Sequence, residues 1–85
     1  MRHAGQAALD ALEPLLARLR ALPGLTEKSR GVFYRKSKAF LHFHEDPTGL
    51  FADIRNAAGD DFDRFEVTHE NGREALFTAA SQRLS

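Results

Sequence analysis

Residues 32–54, VFYRKSKAFLHFHEDPTGLFADI, contain the clearest alternation of apolar and polar side chains in this chain of 85 residues. Aromatic and large apolar residues dominate residues 32–35 and 39–44, and the link Lys36-Ser37 lies between the two runs. Two such runs joined by a very short link predict a β-hairpin. Neither Lys nor Ser adopts a positive φ as cheaply as Gly or Asn, so the link is an unusual hairpin loop.

A two-residue loop would pair Phe33 with Phe40 and Val32 with Leu41, and directly opposed side chains share a face of the sheet. We expect the buried face to carry the apolar set Val32, Tyr34, Ala39, Leu41 and Phe43. We expect the open face to carry the mixed set Phe33, Arg35, Lys38, Phe40, His42 and His44.

The alternation continues beyond the hairpin. Residues 45–49, EDPTG, predict a turn, because Pro fixes φ and Gly accepts positive values. Residues 50–55 then predict a third strand, with Phe51 and Asp53 on the open face. A loop of turn-forming composition follows, and residues 62–67 predict a short fourth strand.

A helix is predicted at each end of the chain. Residues 6–22 repeat leucine at helical spacing, but Pro14 removes a backbone hydrogen bond, so the secure part of this helix is 14–22. Thr68 is the predicted N-cap of a closing helix that ends at Leu84.

These elements predict one α+β domain over residues 1–85, a four-stranded antiparallel meander with the N- and C-terminal helices packed on one face. The other face would expose Phe33, Phe40 and Phe51, which is too apolar for a small monomer to leave in water. We therefore expect a non-enzymatic interaction or homodimerisation module that uses these three residues as its interface. The partner would be a second copy or another protein.

Composition limits the choice of function. The chain has no cysteine, which excludes disulfides and thiolate chemistry, and no apolar run approaches the length of a membrane span. We expect a soluble, cytoplasmic protein without a membrane partner. The chain has 12 basic and 12 acidic residues, but residues 1–38 have eight basic and three acidic ones, whereas residues 39–85 have four and nine.

The segment ALPGLTE at residues 21–27, a helix end followed by the hairpin at residues 32–40, resembles the small bacterial MmcQ/YjbR-like proteins. The resemblance covers about half of the chain, and the hairpin has Ser37 where that family usually has glycine. It implies an α+β fold of a type suggested to bind DNA, with no catalytic motif.

His42, His44 and Asp53 form the candidate metal site. Residues two apart on a strand point to the same face, so the two imidazoles should lie about 6.5–7 Å apart along the strand, with Asp53 on the next strand. Nitrogen and oxygen ligands without thiolate suit Zn²⁺ or another first-row ion. Three protein ligands would leave a coordination position for water, so metal-assisted hydrolysis is an alternative function.

Nucleic-acid binding is a second alternative, through Arg35, Lys36 and Lys38 beside aromatic side chains. The net charge of zero argues against it, because a polyanion-binding domain usually has a basic excess. We therefore predict weak DNA binding at most. No serine or threonine lies in a recognisable nucleophile motif, and no glycine-rich phosphate loop is present, which favours a non-enzymatic protein.

Overall fold

A computed structural model describes all of residues 1–85. It confirms an α+β fold, with six strands where the sequence predicts four. The elements in chain order are β1 Arg2–His3, α1 Gln6–Arg20, β2 Thr26–Ser29, β3 Val32–Arg35, β4 Lys38–Asp46, β5 Gly49–Arg55, β6 Phe62–Glu66 and α2 Glu70–Leu84. All pairings are antiparallel.

The strands lie in the order β2-β3-β4-β5-β6, so consecutive strands are neighbours and the predicted meander is present within a larger sheet. β1 pairs with β4 at His44 and Glu45, beyond the point where the β3 pairing reaches His42. The nine residues of β4 therefore pair with two short strands along the same edge.

The hairpin between β3 and β4 has the predicted loop, and both of its residues have positive φ, 51° at Lys36 and 71° at Ser37. Its register differs from the prediction. Beyond Arg35–Lys38 and Tyr34–Ala39 the pairing shifts, so Phe33 lies opposite Leu41 and Val32 opposite His42. Phe40 is the extra residue of a β-bulge, a feature that inserts one residue into one strand of a pair.

The bulge corrects our assignment of the two faces. Phe33 and Phe40, predicted to lie on the open face, are only 1% and 3% exposed and belong to the core. Val32, predicted to be buried, is half-buried and lies opposite His42 on the other face. Phe51 is half-buried, and Met1 is the only large apolar residue that is exposed. The predicted interface of three exposed phenylalanines is therefore not present.

Both helices contribute to one core together with the sheet. α1 extends back to Gln6 although Pro14 lies inside it. The reason is packing: Leu9 and Leu12, upstream of the proline, are buried, and burying a leucine contributes about 1.5–3 kcal/mol each. Two such side chains offset the roughly 3 kcal/mol cost of an internal proline.

The start of α2 also differs from the prediction. Its N-cap is His69, without a side-chain hydrogen bond, and not Thr68. The hydroxyl of Thr68 instead accepts a hydrogen bond from the backbone N–H of Leu50 at 3.0 Å. Thr68 therefore fastens the end of β6 to the start of β5.

A cluster of exposed ions fastens α1 to the β2–β3 hairpin. Arg30 contacts Asp10 at 2.8 Å and Glu13 at 2.7 Å, and Arg20 contacts Glu13 at 2.5 Å and Glu27 at 2.6 Å. Hydrogen bonds from Arg20 and then Arg30 lower the pKa of Glu13 from 4.5 to about 2.

We predict that Glu13 contributes to acid sensitivity. Because its folded-state pKa is lowered from 4.5, its stabilisation is present above pH 4.5 and is lost as the pH falls toward 2. In urea unfolding between about pH 6 and pH 3, the stability of Glu13→Gln should fall less than that of the wild type. Glu70→Gln, which removes a carboxylate without an ion pair, is the control and should keep the wild-type pH dependence. An equal fall for Glu13→Gln contradicts the prediction.

We predict that Gly72→Ala destabilises the protein although alanine is the better helix former by about 1 kcal/mol. A Cβ at Gly72 would overlap the backbone carbonyl of Glu66, where α2 passes close to the end of β6. Overpacking of this kind costs about 1–3 kcal/mol, so the free energy of unfolding should fall. Asn71→Ala, at an exposed position of the same helical turn, is the matched control and should be neutral or stabilising. A stabilised Gly72→Ala variant would show that the close approach is absent.

Candidate metal centre

The pairing of β4 with β5 places His42 opposite Asp53 and His44 opposite Phe51. His42 and His44 are two residues apart on β4, so both rings lie on the face away from the helices. Asp53 is directly opposite His42 and shares that face. The three residues of the sequence-predicted site are therefore brought together.

The candidate ligand atoms of these three residues all lie within 4.8 Å of one another. Nδ1 of His42 is 2.9 Å from Nε2 of His44, and Nε2 of His44 is 3.3 Å from Oδ2 of Asp53. The side chains of His44 and Asp53 are 15% and 12% exposed, so the cluster is largely withdrawn from water. Nitrogen and carboxylate ligands in this arrangement match the donor set of a zinc site.

Arg64 on β6 lies directly opposite Asp53 and holds its carboxylate from the other side. Its Nε donates to Oδ1 at 2.7 Å and its Nη2 to Oδ2 at 2.8 Å, which is a bidentate ion pair. These hydrogen bonds lower the pKa of Asp53, against the effect of its burial. Asp53 is therefore ionised at neutral pH, with its plane fixed by Arg64.

The ring of Phe62 packs against the ring of His42, with ring centroids 5.1 Å apart. Burial, followed by the nearby His44, lowers the pKa of His42. The imidazole is therefore neutral at pH 7, which is the protonation state that a metal ligand requires.

Nε2 of His44 has two close partners at the centre of the cluster, Nδ1 of His42 and Oδ2 of Asp53. A neutral imidazole has a proton on only one of its two nitrogens, and at 2.9 Å only one proton fits between Nδ1 of His42 and Nε2 of His44. If His44 holds that proton, its single N–H faces both His42 and Asp53. If His42 holds it, the lone pair of His44 Nε2 faces the carboxylate. A metal ion would accept a lone pair from each of the three atoms.

Sequence reasoning missed two neighbours of this cluster. One is His3, which β1 places opposite His44, with ring centroids 4.9 Å apart. A two-residue strand has no alternation by which it could be recognised. The other is Arg64, which only the register of β5 with β6 could have identified as the partner of Asp53.

The acidic residues next to the histidines have other roles. Glu45 accepts a hydrogen bond from the N–H of Gly5 at 2.5 Å and contacts Arg2 at 3.3 Å. Asp46 accepts from the N–H of Thr48 at 2.8 Å. Neither is part of the group formed with His42.

The candidate nucleic-acid residues Arg35, Lys36 and Lys38 line one cavity at the end of the β3–β4 hairpin. Two further basic residues close by in the sequence, Lys28 and Arg30, lie elsewhere: Arg30 is paired with acidic residues of α1, and Lys28 lies over the ring of Tyr34 at 4.8 Å. The five basic residues therefore do not form one surface.

No family model, curated protein or solved structure matches the chain. The resemblance to MmcQ/YjbR-like proteins stays a prediction, and the function is argued from the residues. Neither helix is long and apolar enough to cross a membrane.

Proposed function

We propose that this protein binds a divalent first-row transition metal, with Zn²⁺ as the preferred probe, through His42 Nδ1, His44 Nε2 and Asp53 Oδ2. The observation that supports the proposal is the convergence of three lone-pair donors within 4.8 Å on one face of the sheet. Two imidazole nitrogens and one carboxylate oxygen suit Zn²⁺, Ni²⁺ or Cu²⁺ better than Mg²⁺ or Ca²⁺, which prefer oxygen ligands.

The spacing of the donors agrees with this assignment. Bonds of about 2.0–2.2 Å to a tetrahedral Zn²⁺ place neighbouring ligand atoms about 3.3 Å apart. The distances of 2.9 Å between the two nitrogens and 3.3 Å from His44 to Asp53 are close to this value. The third pair, His42 and Asp53, lies within 4.8 Å, so accepting an ion would require side-chain rotations that bring these two ligand atoms toward about 3.3 Å.

Arg64 has two effects on such a site. A carboxylate has about four lone-pair positions, and the bidentate contact with Arg64 leaves positions on Oδ2 for a metal. Hydrogen bonding of a ligating carboxylate by an outer residue is common and fixes its orientation. The positive charge of Arg64, however, offsets the only negative charge among the ligands. We therefore expect a dissociation constant on the order of micromolar, which corresponds to about 8 kcal/mol of binding energy.

The fourth coordination position distinguishes a structural site from a hydrolytic one. Water in that position would be activated by the metal, as the hydrolytic alternative requires. His3 lies beside the cluster, its ring centroid 4.9 Å from that of His44 and 6.1 Å from that of His42. Because a fourth protein ligand closes a zinc site, the proximity of His3 favours binding without hydrolysis.

The interaction-module hypothesis loses its physical support, because it required Phe33, Phe40 and Phe51 on one open face. Phe33 and Phe40 are buried in the core instead. Phe51 alone, half-buried and opposite His44, does not form an apolar patch that needs a partner.

We predict that isothermal titration of the metal-free protein with Zn²⁺ gives one saturable site per chain. His42→Ala with His44→Ala should abolish the binding heat, because it removes both nitrogen ligands. His69→Ala removes the one histidine that contacts neither the cluster nor its neighbour His3, and it should leave the affinity unchanged. His3→Ala should weaken binding less than His44→Ala does, because His3 is not in the converging group.

The circular dichroism of each variant checks that it is folded. Two outcomes contradict the proposal: no heat with the wild type, or equal heat with the wild type and the His42→Ala, His44→Ala variant. In either case the cluster is a hydrogen-bonded network that fixes the open face and does not bind metal.

A further inference from the structure

A cavity of about 360 Å³ lies between the end of the β3–β4 hairpin, the loop after β5 and the last turn of α2. Its size is at the lower end of the range for small-molecule sites, about 300–1,000 Å³. No acidic residue lines it. Its charged lining residues are Arg35, Lys36, Lys38, Arg55 and Arg83.

Three guanidinium groups of this cavity are held in place by backbone carbonyls. Arg35 Nη1 donates to the carbonyl of Arg83 at 2.9 Å, and Arg83 Nη1 donates to that of Arg55 at 3.1 Å. Arg55 donates to Ala39 at 2.7 Å and to Gly59 at 3.0 Å. Each guanidinium has five N–H donors, so each keeps donors that are not used by these bonds. The arginines are therefore oriented without being saturated.

Most of the positive charge here has no carboxylate partner, whereas most arginines outside the cavity have one. Only Arg83 contacts a carboxylate, that of Asp63 at 3.0 Å. Arg35, Arg55 and both lysines of the cavity make no ion pair. The arginines that do contact a carboxylate outside the cavity are Arg2, Arg18, Arg20, Arg30 and Arg64. Grouped like charges repel one another, so a bound anion would relieve this repulsion.

The hairpin loop adds a second reason to assign a function to this cavity. Lys36 has a φ of 51°, where Asn or Gly is the favoured residue of such a loop. A left-handed conformation costs a lysine about 1–2 kcal/mol. Backbone strain of this kind is concentrated at ligand sites. Here the strained residue is Lys36, which has an unpaired ammonium and lines the cavity.

We propose that this cavity binds a small anion through a phosphate or diphosphate group. Arginine forks match phosphate oxygens in pairs, and the two lysines add point charges at the rim. Several cations around one cavity suit a diphosphate better than a singly charged carboxylate. The neighbouring loop contains Asp60 and Asp61, and Asp63 follows on β6; these carboxylates would repel a long polyanion that continues past the cavity. A small phosphorylated molecule therefore fits better than nucleic acid.

The test is a calorimetric titration with pyrophosphate at about 0.1 M ionic strength, where charges interact over roughly 10 Å. EDTA is present throughout, because pyrophosphate itself chelates metals. The wild type should bind saturably, and Lys36→Ala with Lys38→Ala should weaken binding at least tenfold, since each removes a charge-assisted contact. Both lysines are exposed and make no hydrogen bond through their side chains, so this variant should fold.

Lys28→Ala is the matched control, because Lys28 is the chain's only lysine outside the cavity, and it should leave the affinity unchanged. Absence of pyrophosphate binding, or equal weakening by Lys28→Ala, overturns the proposal. A single-stranded oligonucleotide that binds more tightly than pyrophosphate and is displaced from the same lysines overturns the assignment to a small ligand. His42→Ala with His44→Ala should still bind pyrophosphate, so this result is independent of the metal proposal.

Discussion

The extra residue that Phe40 adds to β4 determines how the two faces of the sheet are used. Side chains alternate along a strand, so an insertion of one residue reverses which side chains of the neighbouring strand share a face. Because of the bulge, Phe33 pairs with Leu41, and Phe33, Phe40 and Phe43 all enter the core. An 85-residue chain has few apolar side chains for its core, so two additional phenyl rings are a large contribution to it.

The same bulge places Val32 opposite His42 on the outer face, where Phe51 and Phe62 also lie beside the histidines. The register of β4 with β5 is regular, so His42 and Asp53 face each other without adjustment. Along its edge with β5, β4 pairs regularly, and this pairing positions the candidate metal centre. Along its edge with β3, the bulge shifts the register and places Phe33 and Phe40 in the core. β4 thus contributes to both the core and the candidate metal centre, because its register with β3 is shifted and its register with β5 is regular.

The sequence was sufficient to predict what depends on local pattern: the Lys36-Ser37 loop, the four strands β3 to β6 of the meander, both helices and the grouping of His42, His44 and Asp53. The sequence was insufficient where tertiary packing selects between two local structures that the same residues could form. A phenylalanine suits a strand equally well in a bulge or in a regular pair, so Phe40 gave no signal of the register shift. Thr68 is a good N-cap by type, but a backbone N–H of β5 competes for its hydroxyl. Pro14 should break a helix, and the leucines before it hold the helix together.

The two proposed sites differ in how their charges are balanced, and one aromatic ring lies between them. Phe62 packs against His42 with ring centroids 5.1 Å apart, and the guanidinium of Arg55 lies 4.7 Å from the centre of the same ring. In the metal cluster Arg64 already balances Asp53, so a divalent ion would add net positive charge there. In the cavity the cations are unbalanced, so an anion would remove net positive charge. A bound metal ion and a bound anion would attract each other across the low-dielectric ring of Phe62, so binding of each should favour binding of the other. The size of this effect depends on how completely Phe62 excludes water between the two sites.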